Sequence, residues 1–362
     1  LFSYLLQGVG LVTVGLVFGL SLAWQVFVTV LAVSAATLAG SRFWRGILQF
    51  AVLFALAWAT VAAVSLVGML VADFSGQEEL LAGLGFAAWA MVAYGAIFFA
   101  VAVGRLTFES DNRVLWTRLA LLFHLVGSFV LCVLFVWLAS GLISNADVVA
   151  VPLLVVGVLT ACVAGFFMTT GPAGEPRRQR AAAGRLLPGL LRPGLARAFR
   201  LFVLLVVGFT AGGSLLGHES NDYLQVAGAL ACFAVLYLSL PLVIGRGLLE
   251  RLLPGPVGQR IFVAGAVAAG LGAPPLLALM IGRDADDLAF NLFNPIFGLE
   301  RASRSPELLW GLAPVAIACA LGAHQVLLRR DREANEAQDR ARGEALPAEP
   351  EPPATPLAPG AA

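Results

Sequence analysis

The residue types that most often carry chemistry are scarce in this sequence of 362 residues. It has three histidines, and His124, His218 and His324 are too scattered to predict a metal site. All 23 basic residues are arginine, so the sequence contains no lysine. A phosphate-binding P-loop and Schiff-base chemistry both need a lysine. The sequence therefore excludes nucleotide hydrolysis by a P-loop within this chain.

The other candidate nucleophiles lie in apolar stretches. The cysteines are widely separated and lack a CxxC spacing, which predicts buried, inert thiols: Cys132, Cys162, Cys232 and Cys319. Several hydroxyl residues have no base near them and are interpreted as interhelical hydrogen-bond partners: Ser34, Thr60, Ser65 and Thr160. We expect no catalytic residue, no cofactor-binding residue and no metal ligand in this chain. His124 is interpreted, like these hydroxyl residues, as a hydrogen-bond partner of a neighbouring helix, and a functional role is the alternative.

Apolar helices must position these residues. Hydrophobic residues make up 59% of the chain and charged residues 12%, whereas a soluble domain is about 25% charged. A membrane core of about 30 Å needs about 20 apolar residues per helix. The sequence therefore predicts an all-α, polytopic transmembrane helix bundle of about ten spans, with the first apolar run divided at Gly19–Gln25. The predicted spans are 2–18, 25–40, 47–72, 80–103, 119–140, 149–169, 201–217, 224–245, 261–282 and 308–328.

The arginines indicate how the bundle is oriented. With this set of spans, 20 of the 23 arginines fall on one side, including Arg118 in the loop after the fourth span. The other three lie in a single loop on the opposite side: Arg283, Arg301 and Arg304. Positively charged loops stay on the cytoplasmic side of a plasma membrane. The pattern predicts that both termini are inside a bacterial plasma (inner) membrane.

Two cytoplasmic segments are candidate docking surfaces for a partner protein. The loop 104–113 places an aromatic side chain among mixed charges, and the linker 170–200 is strongly basic. The docking candidates in these segments are Phe108, Glu109, Asp111, Arg113, Arg177, Arg178 and Arg180. The alternatives are a solvated loop for 104–113 and, for the linker, an ordinary positive-inside connection or a segment lying on anionic lipid.

The outside loop 283–307 contains an apolar stretch that is too short to span the membrane. We interpret it as a re-entrant or interfacial helix around Asn294 and Pro295, since proline is tolerated in the first turn of a helix. Three aspartates of this loop, Asp284, Asp286 and Asp287, offer a calcium site as an alternative, but they lack a full set of ligands at the required spacing.

The Asn294–Pro295 pair, the loop Leu106–Arg113 and the basic run from Glu175 resemble elements of the type-2 permeases of ATP-binding-cassette exporters, in a poorly characterised bacterial group. The resemblance covers roughly residues 90–330. It implies a membrane subunit that exports its substrate with ATP and magnesium bound by a separate ATPase subunit. Because the family has six helices per module, ten spans imply an incomplete pair with two helices missing before Leu1.

The predicted organisation has four parts. Residues 1–169 form a first membrane module of about six helices, and 170–200 form the basic cytoplasmic linker. Residues 201–328 form a second module of about four helices, and 329–362 form a disordered cytoplasmic tail beyond a short helical extension. The expected partners are a cytoplasmic ATPase and membrane lipids, with a homodimer or heterodimer left open and no nucleic acid. An uncharged interior favours a hydrophobic or lipid-like substrate. The alternative function is a membrane assembly or anchoring subunit that binds a partner through its cytoplasmic loops.

Overall fold

The described part of the chain is entirely helical. The computed structural model describes residues 11–38, 77–106, 114–139, 147–170, 173, 189–216, 221–252, 256–284, 294, 298–299 and 306–345. These residues form eight α-helices and one short 3-10 helix, Gly189–Leu191, with no strand among them. The α-helices are α1 (Leu11–Leu38), α2 (Gln77–Leu106), α3 (Leu115–Ala139), α4 (Asp147–Thr169), α5 (Leu195–Leu216), α6 (Asn221–Leu252), α7 (Pro256–Met280) and α8 (Pro306–Ala345).

Five helices are long and apolar enough to cross a membrane. Their apolar stretches are Ala88–Leu106 in α2, Leu195–Ser214 in α5, Leu224–Gly245 in α6, Val257–Met280 in α7 and Leu309–Ala341 in α8. Shorter apolar stretches lie in α1, α3 and α4. The all-helical prediction is confirmed for the described residues, and these helices are consistent with a membrane bundle. The total number of spans and the side on which each terminus lies stay predictions, and the count of ten relied on two separate spans, 2–18 and 25–40, where the described residues 11–38 form one helix.

The predicted break near the N-terminus is wrong. Residues 19–25 lie inside one continuous helix, α1, whose 28 residues span about 42 Å. Glycine and serine lower helix propensity by at most about 1 kcal/mol each. Opening backbone hydrogen bonds in an apolar environment costs more than that, so without a proline the helix continues. The predicted span 47–72 lies outside the described residues.

The C-terminal tail is more helical than predicted. Helix α8 extends to Ala345, so the helical extension predicted at the start of the tail covers residues 329–345, and the disorder predicted beyond it stays a prediction. This segment has no proline, and its only glycine is Gly343. Oppositely charged residues four positions apart, such as Glu336 and Arg340, stabilise a helix on its exposed surface. Residues 346–362 lie outside the described part.

Helix α5 lies at the centre of the described bundle. Leu201, Phe202 and Leu205 are fully buried in one hydrophobic cluster. The same cluster includes residues from helices on both sides of the linker: Leu121 of α3, Leu154 of α4, Leu238 of α6, Val263 of α7 and Leu327 of α8. Helix α4 approaches closely because Gly165 has no side chain, and a Cβ there would lie 2.5 Å from the Phe202 ring. The two predicted modules thus share packing through α5, and their boundary stays a prediction.

Candidate functional site

A short turn ahead of α5 is bound by an arginine of α3. We call residues 189–194 the arginine-bound turn. Arg118 lies in the first turn of α3 and is only 2% exposed. Its Nη1 donates to the carbonyl oxygen of Leu190 at 2.7 Å and also to that of Arg192. Its Nη2 donates to the Gly194 carbonyl at 3.1 Å. A planar guanidinium carries five N–H donors, so one side chain can bind several carbonyls of a turn.

A carboxylate of α8 binds the other side of the same segment. Asp331 accepts from the backbone N–H of Leu195 at 3.0 Å and from that of Ala196 at 3.1 Å. These N–H groups are in the first turn of α5 and have no partner within their own helix. A negative charge here also interacts favourably with the helix dipole. Asp331 therefore caps α5 from a helix more than 100 residues away.

The backbone of the turn requires glycine next to this carboxylate. Gly194 has a φ of +124°, which side chains rarely adopt. A Cβ at this position would lie 3.1 Å from Asp331 Oδ2. Arg197 adds a further hydrogen bond from Nη1 to the Pro193 carbonyl at 3.0 Å. The arginine-bound turn thus joins α3, α5 and α8 at one end of the bundle.

Replacing Asp331 by alanine is expected to lower the free energy of unfolding by about 1–2 kcal/mol, the usual cost of losing a helix cap. Asp331→Asn keeps one acceptor oxygen and should cost less. Glu333→Ala, which alters an exposed carboxylate on the same helix, is the matched control. Thermal unfolding in detergent measures the difference. Equal stability of the Asp331→Ala and Glu333→Ala variants would remove the capping role.

The predicted docking residues lie outside the described part of the chain. This holds for Phe108, Glu109, Asp111, Arg113, Arg177, Arg178 and Arg180. The placement of Arg118 in a loop is wrong, because it lies in α3 and is buried. The available signal was an arginine directly preceding the apolar run 119–123, with no acidic residue within four positions. An arginine in that setting needs carbonyl acceptors or a distant carboxylate if it is buried.

Asn294, by contrast, was singled out by the sequence and has a defined partner. It is fully buried, and its Nδ2 donates to the Leu271 carbonyl of α7 at 2.8 Å. Within a helix that carbonyl would accept from residue 275, but Pro275 has no N–H. Asn294 therefore satisfies a carbonyl that the proline leaves free. Its own carbonyl accepts from the Gly298 N–H at 2.7 Å.

The position of Asn294 bears on the predicted re-entrant element. Leu271 lies nine residues before the end of α7, about 14 Å back along the helix. Asn294 therefore lies beside the middle of α7, not beyond its end. Pro295 lies outside the described residues, and a re-entrant path through the membrane stays a prediction. Of the three aspartates, only Asp284 is described, and the described residues contain no cluster suited to a metal.

A polar cluster lies among the apolar faces of α2, α3 and α4. Trp89 Nε1 donates to Ser128 Oγ at 2.8 Å, and Ser128 Oγ is 3.4 Å from His124 Nδ1. The hydroxyls of Tyr94 and Thr160 are 2.5 Å apart. His124 is 5% exposed, and its Nε2 has no hydrogen-bond partner among the described residues. The structure thus brings together residues that sequence spacing alone left separate.

No protein-family model, no curated protein and no solved structure matches this chain. The resemblance to exporter permeases therefore depends on the sequence motifs alone.

Proposed function

We propose that this chain is the membrane permease subunit of an ATP-binding-cassette exporter. It moves a hydrophobic or lipid-like substrate, and a separate cytoplasmic ATPase supplies the energy. The absence of lysine supports this division of labour, because the phosphate-binding site must then be in another subunit.

The arginine-bound turn is the observation that carries the proposal. It lies at the end of the basic linker where we expect the ATPase to bind. Arg118 connects it to α3, and Asp331 connects the start of α5 to α8. A displacement of the linker by ATP binding would therefore move three helices together, and packed helices transmit such movements as discrete shifts.

The alternative is an assembly or anchoring subunit. It uses the arginine-bound turn as a fixed docking platform. In that case, the partner would be bound without nucleotide hydrolysis, and the helices of this chain would keep one arrangement.

Affinity capture separates these two functions. The tagged chain is solubilised in mild detergent from cells that express it at native level, and co-purifying proteins are identified by mass spectrometry. The permease proposal predicts a protein with a lysine-containing P-loop at a fixed ratio to this chain. Capture of partners that all lack such a motif would contradict the proposal and favour the anchoring function.

A further inference from the structure

One ring nitrogen of the buried His124 has no hydrogen-bond partner among the described residues. Ser128 Oγ already accepts from Trp89 Nε1, and its single hydrogen can be donated to His124 Nδ1. In that arrangement His124 is the tautomer protonated on Nε2, and we take this tautomer as part of the inference. Nε2 has no partner among the described residues, although it is buried. A buried donor without an acceptor is destabilising, so its presence calls for a group that binds it in another state.

Aromatic rings enclose His124 on two sides. Its ring centroid is 5.3 Å from that of Tyr94 on α2 and 5.3 Å from that of Phe209 on α5. Gly157 of α4 packs directly on the Phe209 ring, where a Cβ would overlap it. The two rings therefore give the histidine largely apolar surroundings, and Ser128 is its hydrogen-bond partner among the described residues. They suit the hydrocarbon or ring portion of a ligand and leave Nε2 as the polar contact.

One hydrogen bond connects α2 and α4 over this site. Thr160 Oγ1 donates its hydrogen to the Val156 carbonyl at 2.7 Å, so the Tyr94 hydroxyl must donate to Thr160. We call this contact the Tyr94–Thr160 bridge. Both of its residues are half-buried, whereas His124 and Phe209 behind them are buried. The bridge therefore forms the outer layer of the cluster, and opening it would uncover the histidine from the side of the bundle.

The depth of His124 limits the kind of acceptor it can bind. It lies nine residues into α3, about 14 Å from the start of that helix. A phosphate would be costly to bury at this depth in an apolar helix bundle, whereas a carbonyl oxygen is neutral. The ester carbonyl of an acyl lipid combines such an acceptor with the apolar chains that the aromatic surroundings favour.

We propose that His124 binds the ester carbonyl of an acyl lipid that enters between α2 and α4 when the Tyr94–Thr160 bridge opens. This inference rests on the proposed function, because it assigns the substrate class. Its test measures lipid binding alone, without any ATPase. The lipid-binding inference and the proposed permease function can therefore fail separately.

The test uses a phosphatidylcholine carrying a photoreactive diazirine in one acyl chain, with the purified full chain in detergent. Peptide mapping after irradiation locates the label. We expect labelling of α3 that unlabelled ester lipid suppresses with a saturating dose response. The matching ether-linked lipid, which lacks the carbonyl, should compete about tenfold less well, the effect of one buried hydrogen bond.

Three variants and one control test the roles of His124 and of the Tyr94–Thr160 bridge. His124→Phe should lose the preference for the ester lipid, and His124→Gln, which keeps a donor, should retain part of it. Thr160→Val opens the Tyr94–Thr160 bridge and should increase labelling of α3 severalfold. Thr29→Val is the matched control, because Thr29 likewise donates to the carbonyl four residues before it; it should leave labelling unchanged.

Equal competition by ester and ether lipids in the wild-type protein would overturn the inference. Unsaturable labelling would overturn it as well, because it indicates contact with bulk lipid only. If His124→Phe does not fold, Thr160→Val still tests the entry route. Labelling of α3 no higher than in Thr29→Val would contradict entry between α2 and α4.

Discussion

Replacing Arg118 by methionine is expected to lower the free energy of unfolding by about 3 kcal/mol. The substitution keeps an unbranched apolar side chain of similar length but removes every donor to the arginine-bound turn. Three carbonyls then lose a charge-assisted hydrogen bond. Each such bond contributes about 1.5–3 kcal/mol to stability. The variant also gains stability because it no longer buries a charge. That gain offsets part of the loss, so the net effect is smaller than the sum.

Lysine at the same position should fall between arginine and methionine. It keeps the charge, but its ammonium group cannot match the planar spread of donors that arginine offers. Arg105→Met at the exposed end of α2 is the control for removing one arginine at a helix end. Denaturant unfolding in detergent gives the comparison. Equal stabilities of Arg118→Met and Arg105→Met would show that the turn does not depend on Arg118.

A local measurement accompanies this prediction. Arg197 lies in the first turn of α5, directly after the arginine-bound turn, and trypsin cleaves after arginine when the next residue is not proline. Once Arg118 no longer holds the turn, brief digestion should cleave after Arg197 faster than in the wild-type protein. Unchanged protection at this bond would contradict the local role even if overall stability had fallen.

The second large effect concerns the backbone hydrogen bond that Pro275 removes from α7. Asn294→Leu is expected to cost about 2 kcal/mol, because the Leu271 carbonyl loses the donor that replaces the missing N–H of Pro275. Pro275→Ala restores an N–H that can donate to the same carbonyl. In that background, Asn294→Leu should cost about 1 kcal/mol less, since the carbonyl keeps a partner.

The neighbouring proline supplies a matched control. Pro274→Ala restores an N–H directed at the carbonyl of Gly270, not at that of Leu271. It should therefore show no coupling to Asn294→Leu. A double-mutant cycle on unfolding free energies measures both couplings. Additive effects in the Pro275 cycle would contradict the assigned hydrogen bond.

Much of the described fold follows from apolar segment length. The helices around residues 80–103, 149–169 and 224–245 lie where uninterrupted apolar runs place them. The division at Gly19–Gln25 failed because weak helix formers do not end a helix in apolar surroundings. The length of the helical extension beyond Arg329 was not predicted, because charged residues that cannot build a core can still stabilise a helix.

The candidate site was less accessible to sequence reasoning. Arg118 binds carbonyls more than 70 residues away, and backbone carbonyls have no residue-specific signature. Asp331 lies in a charged run in which nothing marks it as the cap of a distant helix. Asn294 was found because the pair Asn294–Pro295 is distinctive, but its partner depends on how the loop returns to α7. Sequence spacing identifies local patterns, whereas these contacts are set by tertiary packing.

The rate of ATP hydrolysis by a captured ATPase, with and without this chain, tests the proposed division of labour most directly. Both proteins are purified and reconstituted into lipid vesicles, and phosphate release is followed over time. We expect the chain to increase the turnover of its ATPase severalfold, and Arg118→Met to weaken that increase while the ATPase stays bound. Turnover that does not depend on the chain would contradict the proposal that the arginine-bound turn couples this membrane bundle to a separate energy source.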